Sequence, residues 1–216
     1  MESEADLGGS WRTSQHRAGF GAAASSARVT AETRFPAGQL SRTITAAGIA
    51  GESSLRRTGL IHSSFAPPSR EANVATPPRY LRAARWPAHD SATALWTTAP
   101  DLARFLAAAM DASAGRAGSP LDPSAARALV TPTVDAGRGM FGPARQAAGF
   151  LVADVNGAPV TYNLSYSPGS AVLMIGFPST GAGCVVLVND ARTGPGFAMQ
   201  VAQRLAVVHG WPALPR

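Results

Sequence analysis

The sequence that decides the fold is Leu95-Trp96-Thr97-Thr98-Ala99-Pro100-Asp101-Leu102-Ala103-Arg104-Phe105. It predicts the start of a helix, because the Thr98 hydroxyl can accept a hydrogen bond from an orphan amide, Pro100 is tolerated in the first turn, and Asp101 suits the positive end of the helix dipole. The apolar residues that follow share the spacing of one helical face: Leu102, Phe105, Leu106, Ala109 and Met110. We expect this face to be core, with Trp96 and Phe105 anchored against a sheet or neighbouring helices.

Two more helices are predicted further along the chain. Asp122 is suited to cap a short helix that has Pro123 at its first position and ends before Thr131. Near the carboxyl end, an apolar stripe closes at Gly210, a residue type common just past a helix end. The stripe consists of Ala198, Val201, Ala202, Leu205 and Val208.

Two hairpins are predicted between these helices. Segments 149–154 and 159–162 flank Asn156-Gly157, a pair suited to the positive φ angles of a tight turn. Segments 171–177 and 184–189 flank a second turn, and their residues are apolar at nearly every position, as expected of strands covered on both faces. The sequence therefore predicts an α+β architecture with an antiparallel sheet and helices lying across it.

The length of 216 residues, 45% of them hydrophobic, fits one domain or part of one. Residues 1–27 are rich in glycine, serine and alanine and lack apolar periodicity, so we expect a disordered amino-terminal segment before a folded part at 28–216. The acidic start of the chain and the absence of a long apolar run predict a soluble, cytoplasmic protein with no membrane span.

The formal net charge of +6 raises the question of an anionic partner. All 19 basic residues are arginine and none is lysine. The densest group interleaves arginine with aromatic rings and comprises Arg79, Tyr80, Arg82, Arg85 and Trp86. Such a group could contact phosphates and stack on bases, but a solvated loop explains it as well, and we expect no nucleic-acid partner.

Metal, redox and cofactor chemistry find no support in the sequence. The four histidines, His16, His62, His89 and His209, are scattered without metal-ligand spacing, so no metal site is predicted. The single cysteine, Cys184, lies in an apolar strand and is expected to be a buried thiol. Phosphate-loop and dinucleotide fingerprints are missing, and we expect no cofactor.

The 95–105 segment closely resembles the loop and helix of the serine β-lactamase-related proteins, which include class C β-lactamases, penicillin-binding DD-peptidases and related esterases. Further matches occur in family order, namely Leu60-Ile61-His62-Ser63-Ser64-Phe65, Leu121-Asp122-Pro123-Ser124-Ala125-Ala126-Arg127, Ser167-Pro168-Gly169, Gly176-Phe177-Pro178-Ser179-Thr180-Gly181, Val188-Asn189-Asp190 and Gly210-Trp211-Pro212. The resemblance runs from about residue 28 to 212. It implies a β-lactamase/transpeptidase-like fold, truncated at its amino-terminal side, from a bacterial family whose full-length members can be exported.

Family members acylate a serine with a β-lactam, peptide or ester and release the product with water. Their first motif, Ser-x-x-Lys, is absent because the chain has no lysine. The second motif, a tyrosine turn, is matched by a vestige around Phe35 and Gly38 that carries no phenol. The third motif, Lys-Thr-Gly or His-x-Gly on a strand, falls on a vestige comprising Leu164, Ser165, Tyr166, Ser167 and Gly169.

Within the third-motif vestige, Leu164 or its neighbour replaces the cationic or imidazole residue of the family. Tyr166 stands where close approach to substrate favours glycine. Ser165 and Ser167 are expected to be ordinary strand-end hydroxyls, since no base is near them in sequence. No catalytic residue is therefore assigned.

These observations favour a hydrolase-like protein that is catalytically silent on its own. The alternatives are a non-catalytic binding protein that uses the retained sheet and cleft, and a hydrolase with another mechanism. Because the helix bearing Ser-x-x-Lys normally packs on the sheet, its absence is expected to leave a sheet face open to self-association or to a partner.

Overall fold

The computed structural model describes residues 16–23, 27–66, 68, 73–76, 95–167 and 169–215. Its elements in chain order are β1 (Phe35–Pro36), α1 (Leu40–Ala46), α2 (Glu52–Arg57), β2 (Trp96–Thr97), α3 (Ala99–Ser113), α4 (Pro123–Val130), β3 (Val134–Gly139), β4 (Gly142–Gln146), β5 (Leu151–Val155), β6 (Ala158–Ser167), β7 (Ser170–Phe177), β8 (Ala182–Val188) and α5 (Gly194–His209). The arginine-rich loop at 79–86 lies outside the described residues.

Strands β3 to β8 form one antiparallel sheet in sequential order, and β1 pairs with β2 in a separate small sheet. Both predicted hairpins are present. The β5–β6 turn places Asn156 at φ 54° and Gly157 at φ 81°, the positive angles that this dipeptide tolerates. Short sequential hairpins account for the whole sheet, so no crossover connection is needed.

Helices cover both faces of the sheet, which confirms the predicted α+β layers. Val172 and Met174 of β7 pack towards α1, α3 and α4, whereas Leu173 and Ile175 pack towards α5. Every residue of β7 is buried as a result. The expectation of an open sheet face is wrong over β6 and β7, because α1 and α3 lie there.

The α3 helix begins as the sequence predicts. Thr98 accepts a hydrogen bond from the Asp101 amide at 3.3 Å, with Pro100 in the first turn. The fully buried Asp101 carboxylate also receives the His62 amide at 2.8 Å and the Ser63 hydroxyl at 2.7 Å, and it pairs with Arg104 at 2.9 Å. Because a buried charge needs such partners, Asp101 fixes the 60–64 loop against the helix.

The other two predicted helices are also present. The Asp122 carboxylate caps α4 by accepting hydrogen bonds from the backbone amides of Ser124 and Ala125, both at 2.9 Å. Gly210, with φ 65°, ends α5 in the left-handed conformation. No helix in the described part of the chain is long and apolar enough to cross a membrane.

The buried face of α5 differs from the predicted stripe. Ala198, Ala202 and Ala206 are buried, while Val208 is 76% exposed. These three alanines, four residues apart, share one face and lie against the sheet. The smallest side chains allow the helix backbone to approach the strands closely, so the larger valines of the stripe are displaced to its flank.

The amino-terminal segment predicted to be disordered lies partly outside the described residues, since 1–15 and 24–26 are not described. Within 16–23, Ala23 is fully buried and its carbonyl accepts the Thr76 amide at 2.6 Å. The Ala22 carbonyl accepts the side-chain amide of Asn189 at 3.0 Å. These contacts join residues 22 and 23 to the folded part, and the ring of His16 stacks on that of His209 with centroids 6.2 Å apart. Disorder of residues 1–15 and 24–26 stays a prediction.

The burial of Phe105 confirms its expected role in the core, whereas Trp96 is only half-buried in β2. We expect Phe105→Ala to lower the free energy of unfolding by about 3–5 kcal/mol, because it removes a fully buried ring and leaves a cavity. Chemical denaturation measures the loss. Phe20→Ala is the matched control, since Phe20 is 83% exposed, and its effect should stay within about 0.5 kcal/mol. Equal losses in the two variants would contradict the assigned core.

Candidate active site

The residues singled out from the sequence come together at one end of the sheet. Leu164, Ser165 and Tyr166 lie at the end of β6, and Gly169 lies in the turn to β7 with φ 89°. Gly38, with φ 57°, lies in the turn between β1 and α1. The two segments that the sequence analysis matched to the second and third motifs are therefore neighbours, although more than a hundred residues separate them. Phe35 is buried in β1, and the side chain of Ser167 lies outside the described residues.

Ser165 joins the strand to the turn. Its hydroxyl donates to the Ala37 carbonyl at 2.8 Å and accepts from the Leu40 amide at 3.2 Å. The residue is only 2% exposed. Both partners are backbone groups. The hydroxyl therefore has a structural role and has no base beside it to take its proton.

Leu164 faces the other way. Successive side chains of a strand point to opposite faces, so Leu164 shares a face with Tyr162, and both belong to the cluster on the α5 side. Ser165 and Asn163 share the face that carries α1. Of the two positions considered for the missing cationic group, the one that faces the Gly38 turn is therefore the neighbour, Ser165.

Further polar side chains, which the sequence analysis did not single out, extend this contact. The Asn163 amide donates to Thr43 Oγ1 and to the Gly149 carbonyl, both at 3.0 Å, and Thr43 donates to the same carbonyl at 2.8 Å. The Ser170 hydroxyl donates to the Pro36 carbonyl at 3.0 Å. The sequence did carry a signal for these contacts: polar residues recur inside an otherwise apolar hairpin, and buried polar groups need hydrogen-bond partners.

The outer edge of β6 is open at its carboxyl end. Pairing with β5 stops at Leu151 and Tyr162, so residues 163–167 have no strand partner on that side within the described chain. Tyr166 lies on this overhang and is 63% exposed. Its side chain shares the face of Leu164, away from the Gly38 turn, and stands beside the open edge.

Tyr162, the other tyrosine of β6, belongs to the core. Burial raises the pKa of its phenol, and its ring meets Phe141 edge to face at a centroid distance of 4.8 Å. A Cβ at position 139 would lie 2.0 Å from the phenol oxygen, which explains why Gly139 stands there. Tyr162 faces away from the Gly38 turn and cannot supply the missing phenol of the second motif.

Other reactive groups are placed away from the candidate site. Burial raises the pKa of the Cys184 thiol to about 12, so almost no thiolate forms near neutral pH. Among the described residues, no group of three or more His, Cys, Asp or Glu side chains could hold a metal ion. His89 lies outside the described residues.

Comparison with known proteins gives a likeness in structure alone. No family model matches the sequence, and no curated protein matches it. Among solved structures, D-alanine carboxypeptidase AmpC from Burkholderia cenocepacia is similar with a TM-score of 0.70 and 14% identity, over 88% of each chain. A class C β-lactamase is similar with a TM-score of 0.63 and 14% identity, over 87% of this chain and 86% of the other.

A third likeness covers a smaller share of a longer protein. The octameric penicillin-binding protein homologue from Pyrococcus abyssi is similar with a TM-score of 0.58 and 20% identity over 73% of this chain. The match spans only 36% of that protein's length. Together with the sheet order and the flanking helices, these likenesses show that the chain has the serine β-lactamase and penicillin-binding protein fold.

Proposed function

We propose that this chain is a catalytically silent relative of the serine acyl hydrolases and does not form an acyl-serine on its own. The observation that carries the proposal is the closed contact between β6 and the turn before α1. Where an enzyme of this kind would present a cationic or imidazole group, Ser165 is buried and bonded to the backbone of Ala37 and Leu40. The similarity in fold supports a relationship to the serine acyl hydrolases. The bonding of the serine hydroxyls supports the absence of catalysis.

Acyl transfer needs a nucleophile, a base and an oxyanion hole in register. A chain without lysine has neither Ser-x-x-Lys nor Lys-Thr-Gly. The buried hydroxyls of Ser41, Ser165 and Ser170 donate to backbone carbonyls. The Ser63 hydroxyl contacts Thr97 and the Asp101 carboxylate, which is already occupied by Arg104 and the His62 amide. None of these serines has an unoccupied base beside it.

The site residues are accordingly proposed as vestiges. Leu164, Ser165, Tyr166, Ser167 and Gly169 represent the third-motif strand, with Ser165 in the position of the cationic group. Phe35 and Gly38 represent the second-motif turn, which retains its backbone shape without a phenol. Residues 28–216 are proposed as the carboxyl-terminal part of a β-lactamase-like domain.

The proposal predicts no turnover of nitrocefin or of a fluorogenic ester above the rate of the matched variant Ser165→Ala. The double variant Leu164→His/Tyr166→Gly, which restores the third motif as read from the sequence, should remain inactive. Residue 164 lies on the face away from the Gly38 turn, and components that act as a unit lose nearly all activity when one is missing. Turnover that is abolished by replacing a single serine would refute the proposal.

A second candidate function is peptide binding, favoured by the open edge of β6 at 163–167. An extended peptide can add to such an edge through backbone hydrogen bonds, and the exposed Tyr166 ring offers apolar contact beside it. This function needs no nucleophile, so it is compatible with catalytic silence. The chemical class of ligand is an extended peptide, including the peptide part of a peptidoglycan fragment.

For this candidate we expect a fluorescent D-alanine-terminated peptide to bind with an affinity that Tyr166→Ala weakens about 10-fold and Tyr166→Phe preserves, because the ring supplies the contact. Fluorescence anisotropy measures the affinity. Val207→Ala, an exposed position on α5 outside the candidate site, is the control and should change nothing. Absence of binding up to millimolar protein would eliminate the candidate.

Self-association is also part of the proposal. The similar protein from Pyrococcus abyssi is described as octameric. The apolar surface left exposed outside the candidate site supports the same property in this chain.

A further inference from the structure

Asn156 differs from the other asparagines of the chain in the residue that follows it. The chain has four asparagines, and only Asn156 precedes a glycine. Asn73 precedes valine, Asn163 precedes leucine and Asn189 precedes aspartate. The backbone nitrogen after an asparagine can attack the side-chain carbonyl carbon, and glycine leaves that nitrogen unhindered because it has no side chain. Asparagine is accordingly one of the thermolabile residue types of proteins.

The groups that such a reaction needs are accessible and lie in the turn of the β5–β6 hairpin. Asn156 and Gly157 are both exposed. The side-chain amide of Asn156 donates to the Ala213 carbonyl at 3.2 Å. The backbone amide of Gly157 donates to Asp154 Oδ1 at 2.7 Å. The leaving group and the attacking nitrogen are therefore both hydrogen-bonded in the folded chain, and water reaches both residues.

The Ala213 carbonyl belongs to residues 211–215, which follow α5 and which we call the tail. Leu214 is 8% exposed and belongs to the cluster on the α5 side. Gln203 of α5 donates to the Pro215 carbonyl. These contacts hold the tail against the helix and the sheet, and the bond from the Asn156 side chain joins it to the β5–β6 turn.

We propose that Asn156 is a deamidation site, and that its deamidation releases the tail from the β5–β6 turn. The modification is chemical and needs water as its only co-reactant. The inference is independent of catalytic silence, because it uses no residue of the candidate active site.

The reaction has two steps. In the first, the Gly157 amide loses its proton to hydroxide, and its nitrogen bonds to Asn156 Cγ. The bond from Cγ to Nδ2 breaks, ammonia leaves, and a five-membered succinimide ring closes. In the second, water opens the ring: addition at Cγ gives aspartate, and addition at the backbone carbonyl carbon of residue 156 gives isoaspartate. In sum, water is consumed and ammonia is released.

The product cannot make the bond that holds the tail. Asn156 Nδ2 donates a hydrogen bond, whereas an ionised carboxylate at the same position only accepts. The Ala213 carbonyl is also an acceptor, so two acceptors would face each other where a donor and an acceptor now meet. The new charge would also stand in the same turn as the Asp154 carboxylate, which adds like-charge repulsion.

Isoaspartate has a second effect, on the hairpin itself. It routes the main chain through the side-chain carbon and so adds a methylene group to the turn. The turn has two residues, both with positive φ, between the opposed pair Val155 and Ala158. A longer chain does not fit this turn type, because its twist matches the strands only at that length. Isoaspartate therefore weakens the turn end of the hairpin as well as the tail contact.

The folded structure also protects Asn156 from the reaction. Ring closure requires the Gly157 nitrogen to reach Cγ, but Asp154 holds that N–H and Ala213 holds the side-chain amide. The turn must open locally before the ring can close, and the tail contact opposes this opening. The tail therefore slows deamidation, and deamidation in turn weakens the tail contact.

The first test is peptide mapping by mass spectrometry after the full chain has been kept in heavy-oxygen water at physiological temperature and mildly alkaline pH. The peptide that contains Asn156 should lose its side-chain nitrogen and gain a heavy oxygen, as a mixture of aspartate and isoaspartate. Digestion in ordinary water leaves modification during handling unlabelled. Asn163 and Asn189 are internal controls, since each side-chain amide bonds two partners and a bulkier residue follows it. No labelling at Asn156, or equal labelling at all three, would overturn the site.

The second test measures the tail by hydrogen exchange of residues 211–215. Asn156→Asp, which reproduces one product, should raise the exchange rate about 3- to 10-fold, the effect of losing one hydrogen bond. Asn189→Asp makes the same change before the start of α5, at the other end of that helix from the tail, and should leave the rate unchanged. Equal rates in wild type and Asn156→Asp would overturn the release of the tail.

The third test measures the protection. Leu214→Ser removes the buried anchor of the tail and should speed labelling at Asn156 by about 3- to 10-fold. Val207→Ser is the matched control, because Val207 is 76% exposed on α5. Circular dichroism checks that both variants fold. Equal labelling rates in the two serine variants would overturn the coupling between the tail and Asn156.

Discussion

The rest of the candidate site depends on the two hydrogen bonds of Ser165. They join the carboxyl end of β6 to the turn that precedes α1, across 128 residues of sequence for one bond and 125 for the other. Both bonds are buried, where an unsatisfied donor or acceptor is costly. Asn163 and Ser170 repeat the contact on either side, so the turn is fixed to the strand along its whole length.

The hydrogen bonds that hold the turn against β6 also occupy the Ser165 hydroxyl, so this hydroxyl is not available as a nucleophile. A hydroxyl becomes a nucleophile when a base takes its proton, whereas the Ser165 hydroxyl keeps its proton and donates it in a hydrogen bond to the Ala37 carbonyl, which is not a base. A cation at this position would have to be paired or solvated, and the space that it would need is closed by the backbone of residues 37–40. The side chain at position 165 can therefore either stabilise this contact, as serine does, or carry the cation that acyl transfer would need, but not both.

The elements that the sequence predicts well are those with local signals. The α3 helix follows from Thr98, Pro100 and Asp101, which act within one turn, and the β5–β6 hairpin follows from Asn156-Gly157. The candidate site is different, because its contacts join residues far apart in sequence. The choice between Leu164 and Ser165 could not be made from the motif alone, since a shift of one residue exchanges the two faces of a strand. Likewise, hydrophobicity places Val208 in the core of α5, whereas close approach of the helix gives that face to alanine.

The most direct test of the account is intact-mass spectrometry of the folded protein after exposure to excess penicillin. A serine that can be acylated retains the opened β-lactam as a covalent adduct, whereas a hydroxyl bonded to backbone carbonyls does not react. The account predicts an unmodified mass, with Ser165→Ala giving the same result. A stoichiometric adduct on one serine would contradict it.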